Sequence, residues 1–119
     1  MNKPDDFDAW RLPDDESVQK VSLQKDTRAP NSAVFVIERE DHTLGNMLRM
    51  RMLDDDDVLF SGYRVPHPLE PAIQLKVQTR PEKSDPTAAV SKAIRTLMEE
   101  LGELRTSLDA SVAELARQV

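Results

Sequence analysis

The sequence predicts a single soluble α+β domain, with an antiparallel sheet covered on one side only and a long C-terminal helix. The chain has 119 residues, of which 39% are apolar and 32% are charged, a balance typical of one globular domain. The stretch Ala72–Thr79 alternates apolar and polar residues, as a strand with one face in water does. After Asp85, apolar residues recur at steps of three and four, which is the period of a helix.

Composition excludes several classes of protein. The net charge is −6 and the 16 basic residues are scattered, so we expect no direct contact with nucleic acid. No apolar stretch approaches the ~20 residues that span a bilayer, so no membrane association is expected. The absence of Cys excludes disulfides and thiolate zinc sites. The polar, acidic start is not a signal peptide.

Residues 1–17 predict an irregular N-terminal arm that is rich in Asp and Pro. A short strand is predicted near Val18–Leu23, where apolar and polar residues alternate, and a buried strand over Ala33–Glu38. A third strand is predicted over Val58–Val65. Three prolines, at positions 66, 68 and 71, predict a loop between this strand and the next one, Ala72–Thr79, because proline cannot donate a hydrogen bond to a sheet ladder.

The first helix is predicted to begin between Asp41 and Thr43, since both residue types serve as N-caps. Gly45 lies in its first turn, where it costs roughly 1 kcal/mol relative to Ala. The acidic run Asp54–Asp57 opposes the helix dipole and indicates the exit turn. The helix carries apolar residues over a wide arc, which suits either a loose core or a contact surface: Leu44, Met47, Leu48, Met50, Met52 and Leu53.

The C-terminal helix is predicted over residues 86–118, with Asp85 as N-cap and Pro86 at the first helical position. Its apolar residues form a coiled-coil-like seam: Val90, Ile94, Leu97, Leu101, Leu104, Leu108, Val112, Leu115 and Val119. Such a helix is roughly 50 Å long, whereas a compact domain of this size is about 35 Å across. Roughly 15 Å, or two to three turns, must therefore overhang, either as a frayed tail or packed against another subunit.

No catalytic residue, metal ligand or cofactor is predicted. His42 and His67 are the only histidines, and they lack the close spacing of a metal-binding motif. The Asp54–Asp57 run lacks the alternating ligands and central Gly of an EF-hand loop. A hydrolase built from Asp41, His42 and a serine is a remote alternative, because no Gly-x-Ser-x-Gly elbow is present.

Two stretches resemble motifs of a known family. The run Glu40-Asp41-His42-Thr43-Leu44-Gly45-Asn46-Met47-Leu48 resembles the motif shared by alpha-like RNA polymerase subunits, and Gly62-Tyr63-Arg64-Val65-Pro66-His67-Pro68-Leu69 resembles a second one. The opening Met1-Asn2-Lys3-Pro4 with Phe7, and Asp26-Thr27 followed by Pro30-Asn31, resemble the RNA polymerase II branch. These stretches occur in the same order as in the family and span residues 1–80. The C-terminal helix resembles the family's helix in its general character but not in its residue identities.

The resemblance implies a specific fold and role. The expected fold is that of the bacterial alpha-subunit dimerization domain: an antiparallel sheet of about four strands with two helices on one face, the C-terminal one long. The expected role is that of a non-catalytic assembly subunit in the nucleus. It would form an obligate heterodimer with the larger alpha-like RNA polymerase II subunit, on which the two largest subunits assemble.

The expected partner interface combines the motif helix with the C-terminal seam. By the resemblance, Asp41 and Thr43 cap the first helix, and Leu44, Met47 and Leu48 lie on its buried face. His42 and Asn46 are expected either to hydrogen-bond near the dimer contact or to act as local capping groups. The full set of expected interface residues is Asp41, His42, Thr43, Leu44, Asn46, Met47, Leu48, Leu97, Leu101, Leu104, Leu108, Val112 and Leu115.

Two further interpretations stay open at this stage. One is the paralogous subunit shared by RNA polymerases I and III, which differs in its complex but not in its chemistry. The other is a helical adaptor unrelated to transcription, whose C-terminal helix would have to pair without the folded domain.

Overall fold

A computed structural model of the protein describes residues 5–14 and 17–119. After a short 3₁₀ turn, Asp6–Ala9, four strands form one antiparallel sheet in the order β1-β2-β4-β3. Both helices pack on one face of this sheet. The elements, in chain order, are β1 (Val21–Lys25), β2 (Ser32–Glu38), α1 (His42–Leu53), β3 (Val58–Arg64), β4 (Ala72–Thr79) and α2 (Pro86–Arg117).

The predicted fold class is confirmed, and most element bounds agree within one residue. The first strand is the exception, because it was predicted near Val18–Leu23 and covers Val21–Lys25. Its extent is set by pairing with β2, from Val21 opposite Ile37 to Lys25 opposite Ala33, which alternation in the sequence does not show. Residues 1–4 and 15–16 of the predicted N-terminal arm lie outside the described residues.

The core lies between the two helices and the two central strands. Ile73, Leu75 and Val77 of β4 have no exposed surface, whereas the intervening Gln74, Lys76 and Gln78 on the open face are half-buried. Leu48 and Met52 of α1 cover the sheet from one side. From α2 the buried residues are Ala89, Val90 and Ala93, and their small side chains let this helix approach closely. The core is therefore almost entirely aliphatic.

A polar lock fixes the point where α2 begins. Asn31 has a left-handed backbone (φ 52°), which asparagine tolerates better than most residues. Its Nδ2 donates to Thr79 Oγ1 at 3.2 Å and to the Ser84 carbonyl at 2.8 Å, and Thr79 Oγ1 donates to the same carbonyl at 2.8 Å. Asp85 then caps α2 by accepting from Ala88 N at 2.7 Å. The lock ties the start of β2 and the end of β4 to the first turn of α2.

The β1–β2 turn is held by Asp26. Its Oδ1 accepts from Arg28 N at 3.0 Å, and its Oδ2 lies 3.1 Å from Lys76 Nζ. The backbone hydrogen bond from Arg28, followed by the hydrogen bond from Lys76, lowers the pKa of Asp26 to about 2. The negative charge at Asp26 therefore stabilises the folded turn.

The N-terminal turn of α1 packs on β3 through Tyr63. A Cβ added at Gly45 would lie 2.6 Å from Tyr63 Cδ2 and 2.8 Å from its Cε2. No side chain fits between this helix and the ring. Glycine at position 45 lowers the helix propensity, but only glycine lets the helix pack this closely on Tyr63.

We predict that Gly45→Ala destabilises the protein by about 1–3 kcal/mol, because the methyl group must displace the Tyr63 ring. Gly102→Ala is the matched control. Its Cβ would meet no atom within 4 Å, so the gain in helix propensity should stabilise α2 by about 1 kcal/mol. Urea unfolding followed by circular dichroism measures both. Equal effects of the two substitutions would contradict the proposed packing.

We predict that the protein loses stability in acid because Asp26 becomes protonated. Its folded pKa of about 2 lies below the ordinary value of 3.8, so its contribution is present above pH 3.8 and is lost as the pH falls towards 2. Asp26→Asn should lose less stability than the parent between pH 5 and pH 2, as measured by thermal unfolding at each pH. Parallel losses in both proteins would show that Asp26 does not contribute.

Candidate partner interface

Most of α2 extends beyond the domain. The helix contacts the body through Ala89, Val90, Ala93 and the half-buried Leu97, and every residue from Met98 to Val119 is exposed. The uncovered helix is roughly 30 Å long at 1.5 Å per residue. The predicted overhang of 15 Å was too short. That prediction took the full width of a globular domain as cover, whereas only the sheet and α1 provide it.

The uncovered part of α2 carries a continuous apolar stripe. Leu101, Leu104, Leu108, Val112 and Leu115, which we call the α2 stripe, are each 50–65% exposed. Their spacing of three and four residues places them along one side of the helix. In water this surface is unfavourable, since each leucine leaves most of its area unburied.

The total surface area confirms that the chain is not compact by itself. It exposes 8754 Å², whereas a compact monomer of 13.5 kDa exposes about 6,500 Å². The excess of roughly 2,000 Å² is comparable with the area that one partner contributes to an obligate interface.

The sequence motif that precedes α1 fixes the start of this helix. Asp41 is the N-cap, and its Oδ1 accepts from Thr43 N at 2.9 Å. That backbone hydrogen bond is the main reason that the pKa of Asp41 is lowered. His42 Nδ1 lies 2.8 Å from Tyr63 Oη, and the two rings meet edge to face. Asp41, His42 and Thr43 are all exposed, so their local roles leave surface available to a partner.

The other motif residues divide between the core and the surface. Leu48 is only 1% exposed and packs in the core, so it has no side-chain surface left for a partner and leaves the predicted interface set. Leu44 and Met47 are half-buried, and Leu44 packs against the core cluster. Asn46 is exposed and its Oδ1 accepts from Arg49 at 2.6 Å. Leu97 is likewise shared between core and surface.

The structure adds exposed apolar residues that the predicted interface set omitted. Met50 and Leu53 lie on the outer side of α1, and Ile94 and Met98 lie on α2, each of them 42–67% exposed. Arg51 and Glu100 form an ion pair that joins the two helices beside this surface. The spacing 94, 98, 101 suits one side of a helix as well as 94, 97, 101 does, and this signal could have revealed Met98.

Strand β1 adds a second uncovered apolar area. Val21 and Leu23 pair with Ile37 and Phe35 and therefore lie on the helix-bearing face, yet both are about half exposed. Only the start of α2 borders this edge of the sheet, across a cleft that Leu23 lines together with Pro86 and Thr87. Alternation in the sequence indicated the orientation of these side chains but not their lack of cover.

Among residues 5–14 and 17–119, no three His, Asp or Glu side chains cluster as metal ligands would. In the same part of the chain, no helix combines the length and the apolar character needed to cross a bilayer.

Comparison with known proteins gives a consistent result. Residues 32–107 match the family described as the RNA polymerase Rpb3/Rpb11 dimerisation domain. A Caenorhabditis elegans protein described as "Probable DNA-directed RNA polymerase II subunit RPB11" is 46% identical over 112 residues, covering 94% of this chain and 88% of its own. The RNA polymerase II subunit rpb11 of Dictyostelium discoideum is 41% identical over 107 residues, covering 90% and 87%.

A solved structure supports the same assignment. The crystal structure of RNA polymerase subunit L from Thermoplasma acidophilum superposes with a TM-score of 0.62 at 26% identity, covering 78% of this chain and 90% of the archaeal one. The family match includes β2, α1, β3, β4 and the first part of α2, and the relatives extend over nearly the whole sequence. The chain therefore belongs to the RNA polymerase Rpb3/Rpb11 dimerisation domain family, within its RPB11 branch.

Proposed function

We propose that this chain is a non-catalytic assembly subunit of DNA-directed RNA polymerase II. It forms an obligate heterodimer with the larger, Rpb3-type alpha-like subunit in the nucleus. The heterodimer is the platform on which the two largest subunits assemble. The family match and the RPB11 relatives support the complex, and the uncovered α2 stripe supports the mode of action.

The α2 stripe is the observation that carries this proposal. Five apolar side chains at helical spacing have no cover within the chain, and they extend beyond the sheet by several turns. Burying about 1,000 Å² of apolar area, summed over both partners, gives roughly 25 kcal/mol before the costs of association and ordering. A gain of that size favours a permanent partner over a transient one.

The first helix extends the proposed contact surface. Met50 and Leu53 present apolar side chains on the outer side of α1, and the Arg51–Glu100 ion pair holds α1 beside α2. Methionine adapts its shape to a partner more readily than branched residues do. We therefore place Met50, Leu53 and Met98 in the interface together with the predicted motif and seam residues other than Leu48.

The RPB11 relatives favour RNA polymerase II over the paralogue of polymerases I and III. Affinity purification of the tagged chain, followed by mass spectrometry of the co-purified subunits, tests this choice. The largest polymerase II subunits should be recovered. Recovery of polymerase I and III subunits in their place would identify the chain as the paralogue.

We predict that Leu104→Asp or Leu108→Asp weakens the heterodimer by about 2 kcal/mol or more, since each places an unpaired charge in an apolar contact. Gln74→Asp on the open face of the sheet is the control and should leave pairing unchanged. Co-expression with a tagged larger alpha-like subunit, followed by pull-down, measures the yields. Equal yields for the two kinds of variant would place the partner elsewhere.

We predict that the chain expressed alone self-associates or aggregates, because the α2 stripe then has no partner. Co-expression with the larger alpha-like subunit should give a soluble one-to-one complex. Size-exclusion chromatography with light scattering distinguishes these states. A monomer with a sharp cooperative melt and an ordered α2 would contradict the proposed role.

A further inference from the structure

The open face of the sheet, opposite the helices, holds a shallow cleft of about 380 Å³. We call it the sheet cleft. It lies over β2, β4 and β3, and the β1–β2 turn borders it at one end. Its lining combines three basic side chains with apolar, aromatic, glycine and amide residues: Arg28, Val34, Phe60, Gly62, Tyr63, Arg64, Gln74 and Lys76.

The lining of the cleft is basic although the chain as a whole carries a net charge of −6. Lys76 and Arg28 share Asp26, which lies beside the cleft, at 3.1 and 3.5 Å. Arg64 has no carboxylate partner among the described residues. Its Nε donates to Gln74 Oε1 at 2.9 Å, which orients the guanidinium group on the open face. The cleft therefore retains an excess of positive charge that its own neighbours do not neutralise.

Phe60 supplies an apolar contact within this basic surface. Its side chain is 46% exposed and lies over Gly62, where an added Cβ would be 3.0 Å from Phe60 Cζ. Val34 of β2, which is separated from β3 by β4, completes the apolar part of the lining. An aromatic ring beside free guanidinium donors accommodates an apolar side chain and a carboxylate at the same time.

From this arrangement we infer that the sheet cleft binds an acidic peptide segment with an apolar anchor, contributed by another protein. Arg64 and Arg28 receive carboxylates of the peptide, and Phe60 and Val34 contact the anchor. The surface lies opposite the helices, so it is separate from the proposed dimer interface and stays available in the heterodimer.

A peptide fits these observations better than single-stranded RNA does. RNA brings a charge with every nucleotide, and the three basic side chains of the cleft could neutralise only a few of them. Proteins that bind single strands stack successive bases on several aromatic side chains, whereas Phe60 is the one half-exposed aromatic ring on this face of the described chain. An acidic peptide needs only local charge and one apolar contact.

The test uses the full-length chain, alone or co-purified with the larger alpha-like subunit. The probe is a fluorescently labelled peptide that carries Asp and Glu around a central Phe, followed by anisotropy at two salt concentrations. We expect saturable binding that weakens as salt rises. Arg64→Glu should weaken it by about tenfold or more, because the guanidinium group that receives a peptide carboxylate is replaced by a carboxylate that repels it. Phe60→Ala should weaken it independently.

Lys83→Glu is the matched control, since it changes the net charge equally at a residue outside the cleft. It should leave the affinity within about twofold of the parent, as surface charges away from a contact usually do. Unchanged thermal unfolding of Arg64→Glu shows that its effect is local. Equal losses with Lys83→Glu, absence of peptide binding, or tighter binding of oligouridylate than of the peptide would each overturn the proposal.

Discussion

The structure depends on one constraint: the domain can cover only the first three turns of a nine-turn helix. Four short strands and α1 bury Ala89, Val90 and Ala93, and then no further surface is available. The rest of α2 remains helical through its own hydrogen bonds while its leucines stay in water. The apolar area therefore lacks a partner within the chain, and this property connects the fold to the proposed assembly role.

The core is organised to hold α2 and α1 in place with few large side chains. Alanines on α2 and Gly45 on α1 allow close approach, against aliphatic strands in one case and the Tyr63 ring in the other. Tyr63 also contacts His42, so the motif residues that begin α1 serve its docking on β3. The pattern of small, capping and aromatic residues around the start of α1 thus has a local structural cause before any partner is considered.

Sequence reasoning predicted the helices and strands well where the apolar periodicity was strong. It predicted register and side-chain exposure poorly where these depend on packing against other elements. Ala72–Thr79 and the start of α2 followed directly from alternation and from the Asp85-Pro86 cap. The register of β1 and the exposure of Met98 depend on which neighbour lies above each residue. The fold family came from the motif resemblance, since periodicity alone does not define strand order.

The polar lock around Asn31 fixes the direction in which α2 leaves the domain. The free arm of α2 is about 30 Å long, so an angular error of about 10° at its base would move its tip sideways by about 5 Å, about half the distance between the axes of two packed helices. Such a displacement would carry the leucines at the tip out of the recesses of a partner. Two hydrogen bonds from the Asn31 side-chain amide and one from the Thr79 hydroxyl therefore control the position of a helix end that lies far from all three residues.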